Sequence, residues 1–296
     1  MILRRGAILC MALIAWGLFS GNVVAKDSPQ ASTGDLHFVI DTAGFRAEEG
    51  TTYQEIYLML PDNQLVFERE GVGQLVAEFD VTLQVTTFAG DLLYDQVIPR
   101  GLKVDANYKH RAVTDVFSVT LLPKGYWLKM AVEDKNSGKR GVCKMVLPVR
   151  KFDQKKLSIS DVQFGSHINR AEKESRFAKN GVKVVPNVLR QCAKEYGLLC
   201  LYFEVYNLAI NKRIPNDQFT VYYTIFSSTG EEVKRIPSKK IRKPGTTCVM
   251  VEMLDLSDVP PGDYLVSVRV HDPRSEQRFE HRRPFRLTGQ IRPGLL

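Results

Sequence analysis

The chain has 296 residues, 44% of them apolar and 25% charged, with five cysteines and a formal charge of +8. That apolar content is ordinary for a globular protein and excludes a disordered or fibrous chain. The length suits two domains, and the lack of any Cys-x-x-Cys excludes a thiol redox motif or a zinc knuckle.

The N-terminus has the layout of a secretory signal peptide. A basic start, Arg4-Arg5, precedes an apolar run from Gly6 to Phe19, and small residues at Val23 and Ala25 occupy the positions a signal peptidase reads. The run is shorter than the roughly 20 residues of a bilayer span, so residues 1–25 are expected to be removed on export. An uncleaved anchor is the alternative. Cys10 lies inside the run after the bulky Leu9, which does not fit a lipid-attachment cysteine. Residues 26–35 are small and polar and read as a flexible lead-in.

A first β-sandwich is expected over residues 36–152. Short strands are predicted at Leu36–Ile40, Thr51–Leu60, Val76–Thr87, Leu92–Ile98, Arg111–Leu122, Tyr126–Glu133 and Gly141–Val149, with turn residues between them. The charged stretch Phe152–Lys156 marks the boundary. A second sandwich follows over 153–288, and 289–296 is a short tail. Its strands are predicted from Leu157 to Phe164, then at Tyr202–Leu208, Phe219–Ser227, Glu231–Ile236, Thr246–Leu254, Asp263–His271 and Gln277–Leu287. Between them, Ile168–Asn180 is charged and at best weakly helical. Asn187–Tyr196 suits one or two helical turns, and Lys239–Gly245 reads as a basic turn.

The two halves repeat. Phe79, Val81, Leu83 and Val85, closed by Gly90, match Phe219, Val221, Tyr223 and Ile225, closed by Gly230, at a shift of 140 residues. Gly125-Tyr126 followed by Leu128, Met130, Val132 and Asp134 matches Asp263-Tyr264 followed by Val266, Val268, Val270 and Asp272 at a shift of 138. Both are period-two strand patterns, so the fold class is all-β, with two tandem immunoglobulin-like or fibronectin-like sandwiches. In the second unit the tyrosine is expected to pack its ring on the sandwich edge while its hydroxyl bonds backbone.

Charge separates the copies. Residues 26–151 hold 15 basic and 17 acidic groups, while residues 152–296 hold 24 basic and 16 acidic. All the excess positive charge is therefore in the second half, which suits contact with an anionic envelope surface such as lipid head groups or wall polymer. Candidate contacts are Lys239, Lys240, Arg242, Lys243, Arg274, Arg278, Arg282 and Arg283. The competing reading is that these charges line outward strand positions and discourage edge-to-edge aggregation. Four cysteines follow the signal. Cys192 and Cys200 flank a turn-capable stretch, so a local disulfide between them is an expectation, whereas Cys143 lies on an apolar face and reads as a buried free thiol.

Several motifs carry a family resemblance. In order they are Asp41-Thr42-Ala43-Gly44-Phe45-Arg46, Leu60-Pro61, Ser160-Asp161-Val162-Gln163-Phe164, Asn180-Gly181, Val185-Pro186-Asn187 and Tyr202-Phe203-Glu204-Val205-Tyr206-Asn207. Over residues 36–287 the chain resembles the N-terminal region of secreted bacterial GWxTD domain-containing proteins. The resemblance implies export and tandem β-domains, and no established reaction. Trp16 and Trp127 are the two tryptophans and neither stands in the Gly-Trp-x-Thr-Asp motif, so the defining domain is absent.

No catalytic, cofactor or metal residues stand out. The five histidines lack ligand spacing, and Gly165-Ser166-His167 lacks the glycine frame of a nucleophile elbow. The sequence therefore leads to an exported, non-enzymatic structural or protein-interaction module of the cell envelope, periplasmic or extracellular. Its partner is an unknown envelope protein, with no nucleic acid and no cofactor expected. Binding of an anionic wall polymer or membrane surface is the alternative, and an enzyme with an unrecognised site is a third reading.

Overall fold

The computed structural model describes residues 27–289 apart from 172–174, 212 and 215. The signal segment 1–25 and nearly all of the tail lie outside the described residues. The protein is all-β, and each half is a sandwich of two sheets around its own core.

In the first half, two short N-terminal strands, β1 (Gln30–Ala31) and β2 (Thr33–Gly34), precede β3 (Val39–Arg46) and β4 (Thr52–Pro61). Next come β5 (Glu68–Arg69), β6 (Gln74–Thr86), β7 (Leu92–Asp105), β8 (Ala112–Leu121), β9 (Gly125–Asp134) and β10 (Arg140–Pro148). One sheet runs β1-β3-β4-β8. The other runs β2-β10-β9-β6, with β7 on the far edge of β6. The expected lead-in is corrected here: β1 and β2 are strands that pair with β3 and β10.

The second half repeats this plan. It contains β11 (Ser158–Ile159), β12 (Gln163–Arg170), β13 (Ala178–Lys179), β14 (Val182–Pro186), β15 (Gln191–Ala193) and β16 (Leu198–Tyr206). Then follow β17 (Gln218–Ser227), β18 (Glu232–Arg242), β19 (Thr247–Asp255), β20 (Gly262–Asp272) and β21 (Gln277–Thr288). β16 pairs with both β19 and β12, and β14 and β13 extend that sheet. The facing sheet runs β15-β21-β20-β17-β18. In each half, three long strands thus face four in a fibronectin-like arrangement.

The repeat is structural at every point. Phe79, Val81, Leu83 and Val85 on β6, and Phe219, Val221, Tyr223 and Ile225 on β17, are buried in their respective cores. The hairpins after these strands turn through Gly90 and Gly230 at φ +100° and +92°, a left-handed backbone that glycine adopts without a steric penalty. Tyr126 donates its hydroxyl to the Leu122 carbonyl (2.8 Å), and Tyr264 donates to the Pro260 carbonyl (2.6 Å), so each anchors its corner four residues upstream.

The repeated aspartates close the same loop in both copies. Asp134 accepts from the Val66 amide at 3.1 Å, and Asp272 accepts from the Ala209 amide at 2.7 Å. Asp272 also meets the buried Lys243 ammonium at 2.7 Å, with Asp217 at 3.2 Å on its other side.

Three local expectations change. Asn187–Tyr196 is not helical: it carries β15, which runs parallel to β21. The same insertion supplies β13 and β14 instead of a weak helix. The basic turn at Lys239 is the second half of β18, which stays extended to Arg242.

Replacing Asp272 with Ala should destabilise the fold by about 3 kcal/mol, because a buried ammonium loses its nearest counter-charge. Asp134→Ala, with no lysine partner, should cost about 1–2 kcal/mol. Denaturant unfolding of both variants measures this, and equal losses would mean that Lys243 does not depend on Asp272.

Candidate functional site

The two sandwiches meet face to face, and this junction gathers most of the buried charge. β4 shows why. Ile56, Leu58 and Leu60 point into the first core, while Tyr57 and Met59 point out and are still buried. They pack with Phe45 and Ala43 of β3 against Tyr202, Val184 and Val188 of the second half. Apolar residues on both faces of a strand that ought to have one wet face are the mark of a second packing partner.

Around that apolar centre stand ion pairs that cross the junction. Arg283 on β21 and Arg190 are both about 2% exposed. Arg190 grips Asp41 through a two-pronged contact (2.8 and 2.5 Å), and also bonds the Asp27 carbonyl and carboxylate. Arg283 bonds Asp27, the Thr42 carbonyl (2.7 Å) and the Val162 carbonyl (2.8 Å). Burial raises the Asp27 pKa, but the Arg283 and Arg190 guanidiniums outweigh it and hold the carboxyl below the usual range. Burial lowers the Arg283 pKa, yet Asp27 and Asp41 push it above the ordinary arginine value.

A second group lies at the connector. Asp161 accepts from the Gly44 amide at 2.7 Å, and its own amide donates to the Gly44 carbonyl at 2.9 Å. A Cβ on residue 44 would stand 3.3 Å from that carboxylate, so glycine permits the approach. Arg150 pairs with Asp161 and donates to the Ile159 carbonyl. Burial opposes the Asp161 charge, but Arg150, His281 and Arg283 together draw its pKa to about 2. His281 goes the other way. Burial lowers its pKa against the pull of Asp161, and Arg150 and Arg283 lower it further, to about 4.

The third group is the latch around Lys179. Its ammonium meets Glu55 at 2.7 Å and lies 4.0 Å from the Phe45 ring centre and 4.5 Å from that of Tyr202. Burial pulls the Lys179 pKa down, against Glu55, which supports its charge. Glu204 accepts from the Tyr202 and Tyr206 hydroxyls (2.7 and 2.9 Å) and from Asn180 (2.8 Å). Burial and these carboxylates raise the pKa of Tyr57, Tyr202 and Tyr206, so all three stay neutral donors. A cleft of about 440 Å³ opens beside the latch, between Tyr53, Glu55 and Phe117 on one side and Gln163, Lys179 and Glu204 on the other. Lys179 and Glu55 in its lining are paired with each other, Arg176 is paired with Asp115, and Glu204 is held by Tyr202, Tyr206 and Asn180.

The eight basic residues expected to contact an anionic surface do not stay together. Lys243 and Arg283 are buried in internal ion pairs, which removes them from any contact surface. Lys239 pairs with Glu252, and Arg274 pairs with Asp217. Arg282 bonds Glu280 at 2.6 Å and lies over the Phe226 ring. Lys240, Arg242 and Arg278 are exposed and form no ion pair among the described residues. Sequence reasoning missed the junction residues Arg190, Lys179, Asp161 and Asp27. The signal that pointed there was the apolar Tyr57 and Met59 on the outward face of a predicted strand.

The expected disulfide is absent, and Cys143, Cys192, Cys200 and Cys248 are free thiols. Cys192 belongs to the second core and donates to the Leu198 carbonyl at 2.9 Å. Cys200 alternates with Leu199 and Leu201 and faces away from that core. Burial pushes the Cys143 and Cys192 thiols up to about 11, so neither is poised as a thiolate. Among the described residues no cluster of three or more His, Cys, Asp or Glu could hold a metal ion. No helix among them is long and apolar enough to cross a membrane.

No protein-family model matches the chain, and no curated protein matches it. Among solved structures it is similar to dimeric latent PorU from Porphyromonas gingivalis, at 14% identity and a TM-score of 0.30. The match covers 90% of this chain and 21% of that one, so the chain spans about a fifth of that protein's length. A likeness at that score carries no argument about function.

His281 gives the junction a pH dependence. Above pH 6.5 the ring is neutral folded or unfolded. Between 6.5 and about 4 only the unfolded chain takes up the proton, so stability falls as pH falls through that window. The full loss is roughly 3 kcal/mol. The Asp161 contribution is present above 3.8 and lost as pH falls from there to about 2. Unfolding measured across this range should show both slopes, and His281→Gln should remove the upper one and leave the lower. An unchanged upper slope in that variant would assign it elsewhere. A thiol count on unfolded, unreduced protein should find Cys143, Cys192, Cys200 and Cys248 all reactive, and two fewer would mean that a disulfide forms.

Proposed function

We propose that the protein is an exported, non-enzymatic interaction module of the cell envelope that holds its partner at the open edge of β7. The observation that carries this reading is the contrast between the two copies at the same strand. β7 pairs with β6 from Gln74 to Thr86, with one register shift near its start, and its other edge has no strand partner among the described residues. Leu93 is 48% exposed and Val97 60% exposed along it. Phe88 stacks edge-on against Trp127 (5.6 Å between ring centres) beside its first residues. An open edge with exposed apolar side chains is a template for an added strand.

The matching strand of the second copy is more heavily protected. β18 shifts register twice against β17, where β7 shifts once, and its exposed large apolar residue is Val233, against Leu92, Leu93 and Val97 on β7. Each strand contains one proline, Pro237 and Pro99. Lys234 and Lys239 leave it to pair with Asp258 and Glu252. Register shifts, paired lysines and few exposed apolar side chains are the usual protections of an edge. The export reading rests on the N-terminal leader pattern. The non-enzymatic reading is supported by the junction, where Glu55 and Glu204 are each held by neighbours and neither is free to act as a base.

The test is capture of partners from envelope extract by wild-type protein, by a Leu93→Lys/Val97→Lys variant and by a Val233→Lys variant on β18. The β7 variant should lose its partner at unchanged melting temperature while the β18 variant keeps it. Equal capture by all three would remove β7 from the function.

A further inference from the structure

The outer face of the four-stranded sheet β18-β17-β20-β21 has a pattern that the β7 reading does not use. Register places its outward residues in rows across the sheet. One row is Lys240, Thr220, His271, Arg278. Another is Arg235, Thr224, Ser267, Arg282. Between them lie Tyr222, Arg269 and Glu280. Each row is basic at both ends and bears hydroxyl or imidazole groups in the middle. The face is therefore a lane along β17 and β20, floored by Thr220 and Thr224, with Ser267 buried beneath Glu280, and walled by cations. Three strand spacings make the lane roughly 14 Å wide.

The cations are held flat and in place. Arg269 lies 4.7 Å from the Tyr222 ring centre, and Arg282 lies 4.4 Å from that of Phe226. Arg269 keeps its guanidinium edge free for two-pronged contacts to carboxylate or sulfate, whereas Arg282 gives its Nε to Glu280 and keeps its two terminal nitrogens. The carboxylates on the face are Glu232, paired with Arg235, Asp263, paired with Arg286, and Glu280, bonded to Arg282 and Ser267. Lys240, Arg242 and Arg278 have no counter-charge among the described residues. Arg235, Lys240, Arg242, Arg269, Arg278, Arg282 and Arg286 thus oppose Glu232, Asp263 and Glu280, leaving the face distinctly positive. The matching face of the first sandwich has no such excess, since Asp80 and Glu133 stand there beside Lys129 and Lys144.

We infer that this lane binds a linear acidic polysaccharide, with its carboxylate or sulfate groups on the flanking cations and its hydroxyls over the threonine floor. A lipid surface fits less well. The central rings of Tyr222 and Phe226 lie under guanidiniums and do not stand up to enter a bilayer, and Val233 alone is an exposed large apolar residue among the described residues of these four strands. This site is independent of the β7 edge, and either can fail without the other.

Titration calorimetry of the wild-type protein with heparin oligosaccharides and with oligogalacturonate tests the inference. The sulfated and carboxylated probes distinguish which anion the lane prefers. At least one should bind at low salt, and affinity should weaken about tenfold or more from about 50 mM to about 300 mM salt. Lys240→Ala/Arg242→Ala/Arg278→Ala should weaken it at least tenfold at unchanged melting temperature. Lys151→Ala/Lys155→Ala/Lys156→Ala removes equal charge from the exposed connector and should leave it within about twofold. Absence of binding to both probes overturns the inference. So does equal loss in both variants, which would mean bulk charge alone, or binding to anionic phospholipid vesicles with neither glycan bound.

Discussion

The Arg283 guanidinium is held by groups from three separate segments, and the arrangement of the two sandwiches depends on those bonds. Asp27 comes from the N-terminal segment, the Thr42 carbonyl from the first sandwich and the Val162 carbonyl from the start of the second. A buried cation has little freedom to rearrange. Taking an ion out of water costs several kcal/mol unless its hydrogen-bonding positions are filled, and here four acceptors fill them. Such a site tolerates one relative placement of the donors' parent strands. The Tyr57 and Met59 packing supplies adhesion between the sandwiches, and Arg283 with Arg190 supplies direction.

This junction also changes the meaning of the charge difference between the halves. The basic excess of the second half resembles a single surface for an outside partner. Part of it instead faces the first half, where Arg176 meets Asp115, Lys179 meets Glu55, and Arg190 meets Asp41. The slight acidity of one copy and the basicity of the other are complementary in the protein itself. What remains on the outside is narrower than composition suggests, because part of the excess is taken up at the junction.

The sandwich fold was legible because it rests on local periodicity. Alternation at Phe79–Val85 and Phe219–Ile225, the tyrosine corners and the turn glycines are all written within about ten consecutive residues, and each survives in the structure. The junction was illegible for the opposite reason. The pairs that cross it are 61 to 256 residues apart, and no spacing rule links Gly44 to Asp161 or Asp27 to Arg283. Charged edge strands mislead in a related way. Lys239–Arg242 reads as a turn because an edge strand with polar side chains has no apolar alternation to announce it. The insertion 187–196 read as helical because it has no strand alternation either, and its extended form is imposed by pairing with β21.

The bond from Arg283 to Asp27 ties residues 256 positions apart, from the first described strands to the last. Such a contact has consequences for the order of assembly. Each sandwich can condense from its own hairpins, but the N-terminal segment has only Arg190 to hold it until β21 brings Arg283. During synthesis the first sandwich must therefore wait, with Tyr57 and Met59 uncovered, until the second supplies Val184, Val188 and Tyr202. The long-range closure makes the final docking the slow and exposed step of folding, and makes the last strand the one that completes the first.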